Sequence, residues 1–131
     1  MGKKNEIGCE IWSADGDFTE KFLPLGSESL RDIASSLGAD DSATMVWNDG
    51  EDPCLMIALS EGRAVVTLIL EARFHTLIGS NDPGDMEIMV GGQSVVQPKR
   101  LTTSVGKAID LIGDVPRVDE ILHRYSWYTE E

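Results

Sequence analysis

Residues 54–70 read CLMIALSEGRAVVTLIL and constrain the fold more than any other stretch of the chain. Two apolar arms, rich in β-branched side chains, flank a polar break at residues 60–63. Gly62 can adopt the positive φ that a tight turn needs, so the pattern predicts a strand, a turn and a second strand. Because apolar residues occupy both faces of each arm, we expect this hairpin in the middle of a sheet, with cover on both sides.

The other elements follow from hydrophobic periodicity. Alternation of apolar and polar residues predicts further strands at 7–12, 18–23, 43–47, 71–78, 86–90 and 94–96. Apolar residues at i, i+3, i+4 and i+7 predict helices over 30–37, 105–112 and 118–125, and residues 126–131 are interpreted as a tail. The sequence therefore predicts an α+β fold with a largely antiparallel sheet of about six to eight strands and two or three amphipathic helices.

Three smaller signals mark the ends of these elements. Gly91-Gly92 is expected to turn the chain between two short strands. Ser27 is expected to cap the first helix, and Pro116 to lie near the first position of the last one.

The composition predicts a single globular domain over residues 1–131, since the chain is long enough to bury a core without disulfides or metal. Its net charge is −12, from 23 acidic and 11 basic residues. Such a charge repels nucleic acid phosphates and anionic lipids, and it attracts basic proteins or cations. We therefore expect neither nucleic acid nor membrane as a partner. Solubility alone is the alternative explanation of the acidity.

The cysteines and the apolar segments indicate the cytoplasm. Cys9 and Cys54 lie in apolar strands without CxxC spacing, which favours buried free thiols in a reducing compartment. The N-terminal residues lack the apolar run of a signal peptide, and the longest apolar run is far below the ~20 residues that span a bilayer.

No catalytic, metal or cofactor motif is recognisable in the sequence. His75 and His123 lack the spacing of a zinc site. Burial is expected to raise the thiol pKa of Cys9 and Cys54, which makes both poor nucleophiles. We therefore expect a protein that is not an enzyme and has no cofactor. The alternative is a small-ligand-binding domain or enzyme with a pocket near His75.

Two acidic turns, at residues 48–53 and 82–87, are the candidate partner-binding segments. Neither has the ligand spacing of a calcium loop, so solvated turns or an acidic binding face explain them better. The candidate contact residues are Asp49, Glu51, Asp52, Asp82, Asp85 and Glu87, with Trp47 as a possible anchor. If both turns project from the same edge of the sheet, the central hairpin holds this binding face.

The order of features over residues 48–127 carries a family resemblance. An acidic turn at 48–53 precedes the central hairpin, and a glycine-bearing hairpin at 87–98 leads into a proline. A helix at 105–112 then ends near Gly113 and Pro116, and Trp127 lies close to the C-terminus. This order resembles the first-numbered Imm family, bacterial immunity proteins of polymorphic toxin systems.

The resemblance implies a cytoplasmic protein without catalytic residues that neutralises a cognate toxin, often a deaminase or nuclease, by binding it. Toxins that act on nucleic acid are basic around the substrate groove, so an acidic inhibitor gains steered association and a complementary interface. The expected partner is thus a basic protein toxin. A nucleic-acid mimic that binds a DNA-binding protein would share the same physics.

Overall fold

A computed structural model describes residues 6–24, 27–38, 40–90, 93–115 and 117–130, without the side chains of Ser27 and Glu130. The expected turn at Gly91-Gly92, the cap by the Ser27 side chain and the role of Pro116 lie outside the described residues. The strands are β1 (Glu6–Trp12), β2 (Phe18–Pro24), β3 (Ser42–Trp47), β4 (Cys54–Ser60), β5 (Arg63–Leu70), β6 (Arg73–Leu77), β7 (Asp85–Val90), β8 (Gln93–Pro98), β9 (Thr103–Ser104) and β10 (Trp127–Glu130). The helices are α1 (Ser27–Ser36), α2 (Val105–Ile112) and α3 (Val118–Arg124), and a 3₁₀ turn covers Lys99–Leu101.

Within the described residues, eight strands form one antiparallel sheet and two form a separate ribbon. The order along the large sheet is β10-β6-β5-β4-β3-β1-β2, and the short β9 pairs with the start of β5. The ribbon consists of β7 and β8. This arrangement confirms the predicted α+β fold with a largely antiparallel sheet.

The central hairpin occupies the middle of the sheet, as predicted. β4 and β5 pair from Cys54 opposite Ile69 to Ser60 opposite Arg63. The turn between them has positive φ at Glu61 (52°) and at Gly62 (78°). Both faces of the hairpin carry buried apolar residues, but two different layers cover them.

The helices cover one face, which we call the helix side. There, alternate residues of the central strands are buried, among them Met45, Ile57 and Val66. The helices contribute side chains at the spacing that the sequence predicted, listed here as Leu30 and Ile33 from α1, Ala108, Ile109 and Ile112 from α2, and Val118 and Ile121 from α3. The main hydrophobic core therefore lies between the sheet and the helices.

The β7–β8 ribbon covers part of the opposite face. Ile88 is buried against Ala58 and Val65, and the Met89 amide donates a 3.1 Å hydrogen bond to Ser60 Oγ. Val95 pairs with Ile88 and so lies on the same side of the ribbon, yet 38% of Val95 is exposed. Among the described residues, the ribbon thus leaves part of this face of the sheet exposed.

Two expectations about the strands were wrong. Glu71 and Ala72 do not begin a strand, because both have positive φ (53° and 62°) and form the turn before β6. Residues 127–130 are not a tail but the strand β10, in which Trp127 pairs with Leu77. A four-residue edge strand is too short for alternation to reveal, and its pairing partner decides its structure.

In the part of the chain that the structure describes, no helix has the length and apolarity to cross a membrane.

Candidate protein-binding surfaces

The first acidic turn joins β3 to β4, and only part of it is free to contact a partner. Asp49 and Glu51 are exposed. Asp52 is exposed as well, but its two carboxylate oxygens accept hydrogen bonds from the amides of Glu71 (2.9 Å) and Ala72 (2.8 Å). Asp52 therefore holds the neighbouring β5–β6 turn in place.

Trp47 lies in the core and cannot anchor a partner, which corrects the expectation from the sequence. Its exposed fraction is 2%, and it packs on the helix side between its register partners Ile7 and Leu55. Trp47 has the same parity in β3 as the buried Ala43 and Met45, so the alternation of the strand already indicated its direction.

The second acidic turn leads into the β7–β8 ribbon. Asp82 and Asp85 are exposed, and Glu87 lies on the outer side of β7, where Oε2 accepts a 3.3 Å hydrogen bond from Ser94 Oγ. The segment before this turn is held tightly: the Gly79 amide donates to the Arg100 carbonyl (2.9 Å). A Cβ on Gly79 would approach the Thr102 carbonyl oxygen to 2.1 Å, so only glycine fits there.

The two acidic turns do not project from the same edge of the sheet. Gly79, just before the second acidic turn, lies against Thr102. The next residue, Thr103, pairs with Ala64 at the start of β5. Asp52 contacts the turn that follows Leu70, at the other end of β5. The strand between Ala64 and Leu70 is roughly 20 Å long at the usual rise per residue. The central hairpin therefore does not bring the two acidic turns together into one binding face.

An exposed apolar surface lies on the side of the sheet opposite the helices. A continuous cross-strand register runs from Phe22 over Gly8 to Val46, Met56, Thr67, Thr76 and Tyr128. Directly opposite residues of antiparallel strands share a face, so these side chains form one row. Ile69 and Phe74 pair in the next row on the same face. We call the set the open strand face and define it as Phe22, Val46, Met56, Thr67, Ile69, Phe74, Thr76 and Tyr128.

Large aromatic side chains of the open strand face are exposed to solvent. The exposed fractions are 66% for Phe22, 50% for Phe74 and 40% for Tyr128. Phe22 lies across Gly8, where a Cβ would meet the Phe22 ring at 3.6 Å. The guanidinium carbon of Arg100 is 5.6 Å from the centroid of the Tyr128 ring, a cation–π distance.

Carboxylates border the open strand face. Glu10 and Glu20 lie directly opposite each other in the β1–β2 register, on the same face of the sheet. Asp49 and Glu51 lie at the end of the sheet near Ile69. Like charges in directly opposed positions destabilise a sheet, so a cation from a partner would relieve the pair at Glu10 and Glu20.

A cleft of about 520 Å³ opens at the opposite end of the sheet. Asp40, Asp41 and Glu61 line it together with apolar residues such as Leu37 and Leu59. Asp41 is structural: its carboxylate accepts hydrogen bonds from the amides of Gly38 (2.7 Å) and Ala14 (2.9 Å), which lower its pKa. Asp40 also lines a smaller cleft of about 280 Å³.

The structure gives the surroundings of His75 and of the two thiols considered in the sequence. His75 lines neither cleft, and its Nδ1 lies 2.8 Å from Thr129 Oγ1. Burial raises the thiol pKa of Cys9 and of Cys54 to about 11, so both thiols stay protonated near neutral pH. Among the described residues, no three His, Cys, Asp or Glu side chains are grouped so that they could hold a metal ion.

Comparison with known proteins gives no family for this chain. No protein-family model matches the sequence, and no curated protein matches it.

Proposed function

We propose that the protein is a non-enzymatic, acidic binding protein, an immunity protein that neutralises a cognate interbacterial toxin of the deaminase or nuclease type by direct binding. The observation that carries the proposal is the distribution of the −12 charge. Exposed carboxylates occupy the turns at both ends of the sheet, including Asp49, Glu51, Asp82 and Asp85. This distribution favours a basic protein as the partner.

Three arginines of the helix layer do not offset these turns. Arg31 pairs with Asp110, and Arg117 and Arg124 each pair with Asp114 and Glu120. These arginines are thus neutralised within their own layer. The carboxylates of the turns thus contribute to a negative field around the sheet.

The negative field explains how the protein would find a toxin. The phosphate-binding groove of a nuclease or deaminase is positively charged, so the two proteins attract each other before contact. Charge mainly sets the association rate, whereas a long-lived complex needs buried apolar contacts. Binding over the groove would exclude the nucleic acid substrate without any chemistry by the inhibitor.

The proposal also names the cytoplasm as the compartment in which the protein acts. A toxin that acts on nucleic acid has to be neutralised in the cytoplasm, and the two buried free cysteines suit a reducing environment. The structure has an acidic turn, the central hairpin, the ribbon and an amphipathic helix in that order, which is the order on which the proposed resemblance to immunity proteins rests.

Co-expression with the product of the neighbouring reading frame, which the proposal expects to encode the toxin, tests the function. Bacteria that produce the toxin domain alone should stop growing, and co-expression of the wild-type chain should restore growth. A variant in which Asp49, Glu51, Asp82 and Asp85 are changed to Lys should restore it less well. The matched control changes the same residues to Asn or Gln, which removes charge without reversing it. Growth arrest that the wild-type chain does not relieve would contradict the proposal.

A further inference from the structure

We infer that the open strand face is the surface on which a basic protein partner docks, with Phe22, Phe74 and Tyr128 as its apolar contacts. The inference deepens the proposed function and rests on it only for the identity of the partner as a toxin. The partner is a protein surface that presents an apolar strip long enough to cross the strands, with Lys and Arg side chains beside it.

The exposure of these aromatic residues is the first argument. Phe22, Phe74 and Tyr128 are between 40% and 66% exposed, and half-buried Val46, Met56 and Ile69 lie on the same face of the sheet. Phe74 and Tyr128 lie on neighbouring strands at one edge of the sheet, and Phe22 lies on the edge strand β2 at the other, with the half-buried residues between them. Contiguous apolar patches larger than roughly a few hundred Å² mark interaction sites. Aromatic side chains supply much of the binding energy in protein interfaces.

The limited cover on this side of the sheet is the second argument. Within the part of the chain that the structure describes, the β7–β8 ribbon covers part of the face through Ile88 against Ala58 and Val65, and Arg100 lies over the ring of Tyr128. The ribbon contacts β3 and β4, and Val95 on its sheet-facing side stays 38% exposed. Among the described residues, only Arg100 approaches the rings of the open strand face as a cation–π partner.

Charge complementarity selects the occupant. Glu10 opposes Glu20 beside the open strand face, and Asp49 and Glu51 lie at its end. Lys or Arg side chains of a partner would neutralise these carboxylates, which lie beside Phe22 and at the end of the sheet near Ile69. A second copy of this chain carries the same net charge of −12, which opposes self-association. Anionic lipid is repelled for the same reason.

Site-specific photo-crosslinking in the native organism tests the inference. The photoreactive residue p-benzoyl-phenylalanine replaces Phe22 or Phe74 in the tagged chain, a change that retains an aromatic side chain at an exposed position. The control places it at His123, an exposed residue of α3 in the helix layer. Both open-face positions should yield an adduct with the same basic protein, at about ten times the yield from His123.

The identity of the adduct separates the two proposals. A basic protein that is not a toxin would leave the docking surface in place and overturn the proposed function. Adducts of two copies of this chain, adducts with an acidic protein, equal yields from His123, or no adduct at either open-face position would overturn the docking surface.

A pair of substitutions checks that the apolar contacts carry the binding. With the photoreactive residue at Phe22, the double change Phe74→Glu and Tyr128→Glu should lower the adduct yield about tenfold, and circular dichroism should stay unchanged. If that variant unfolds, Phe74→Ser with Tyr128→Ser replaces it and should give the same loss. An unchanged yield in a folded variant would overturn the inference.

Discussion

Asp52 Oδ2 accepts a 2.8 Å hydrogen bond from the Ala72 amide, so the acidic turn after β3 holds the turn between β5 and β6. Oδ1 of the same carboxylate accepts from the amide of Glu71 at 2.9 Å. Glu71 and Ala72 both have positive φ, which costs a non-glycine residue about 1–2 kcal/mol. A residue that the sequence suggested for partner binding thus stabilises the fold at a strained turn.

Replacing Asp52 should lower the stability of the fold. Asp52→Ala removes both acceptors and should reduce the free energy of unfolding by about 1–2 kcal/mol. The matched control, Asp49→Ala, removes an exposed carboxylate of the same turn and should change it by less than about 0.5 kcal/mol. Urea unfolding followed by circular dichroism measures both. Equal losses in the two variants would show that charge in this turn, and not the hydrogen bonds, stabilises the fold.

The strain at Ala72 gives an independent test of the same turn. Ala72→Gly should raise the free energy of unfolding by up to about 1 kcal/mol, since glycine adopts a φ of 62° without a steric penalty. Ala72→Val should lower it, because a β-branched side chain tolerates this conformation poorly. Urea unfolding compares the two variants with the wild type. If Ala72→Val has a higher free energy of unfolding than Ala72→Gly, the turn is not strained at this position.

The acid sensitivity of the fold should depend on Asp41. Hydrogen bonds from Gly38 and Ala14 lower the pKa of Asp41 below its ordinary value of 3.8. A lowered pKa in the folded state stabilises the fold above pH 3.8, and this contribution is lost as the pH falls through the folded-state pKa.

Asp41→Asn should therefore be less stable than the wild type at pH 7, and the difference should shrink below pH 3.8. Urea unfolding at pH 7 and pH 3 measures both variants. Asp40→Asn, at an exposed neighbouring position, serves as the control and should show a smaller effect at pH 7. A difference that is the same at both pH values would show that ionisation of Asp41 is irrelevant.

The two thiols should be unreactive in the folded protein. Burial raises the pKa of Cys9 and Cys54 to about 11, so only about one thiol in a thousand is a thiolate at pH 8. Labelling with a thiol reagent at pH 8 should be slow in buffer and fast for both residues in urea. Rapid labelling of either cysteine in buffer would show that its thiol is accessible to the reagent and that its pKa is raised less than stated.

The sequence predicted the elements that carry a local pattern of apolar residues and missed those that depend on pairing with a distant segment. The three helices carry periodic patterns, such as Leu30 with Ile33, and the central hairpin carries two apolar runs around the turn at Gly62. The helices and the hairpin are all present in the structure. β10 lacks such a pattern, since its structure comes from pairing with β6. The binding candidates were harder, because the sequence cannot show that the β5–β6 turn occupies both oxygens of Asp52.

The open strand face was missed for a related reason. Phe18, Glu20 and Phe22 alternate with Thr19, Lys21 and Leu23, and neither set is clearly the apolar one. Pairing with β1 places Phe22 opposite Gly8, on the side away from the helices. Which apolar residues stay exposed there depends on where the β7–β8 ribbon docks. Local patterns carry no information about that long-range contact.

The separation of the two acidic turns predicts unequal effects on association with the basic partner. Asp49 and Glu51 lie beside the open strand face, whereas Asp82 and Asp85 follow a segment that is anchored at the other end of β5. Asp49→Lys with Glu51→Lys should slow association about tenfold at low salt, and Asp82→Lys with Asp85→Lys should slow it less.

Stopped-flow mixing with the partner identified by crosslinking measures these rates. Asp32→Lys with Asp119→Lys is the matched control, since it reverses two exposed charges of the helix layer and changes the net charge equally. At high salt all variants should associate at similar rates, because the screening length falls to about 3 Å at 1 M. If the control slows association as much as the change at Asp49 and Glu51, net charge alone steers the partner, and the position of the carboxylates beside the open strand face has no kinetic role.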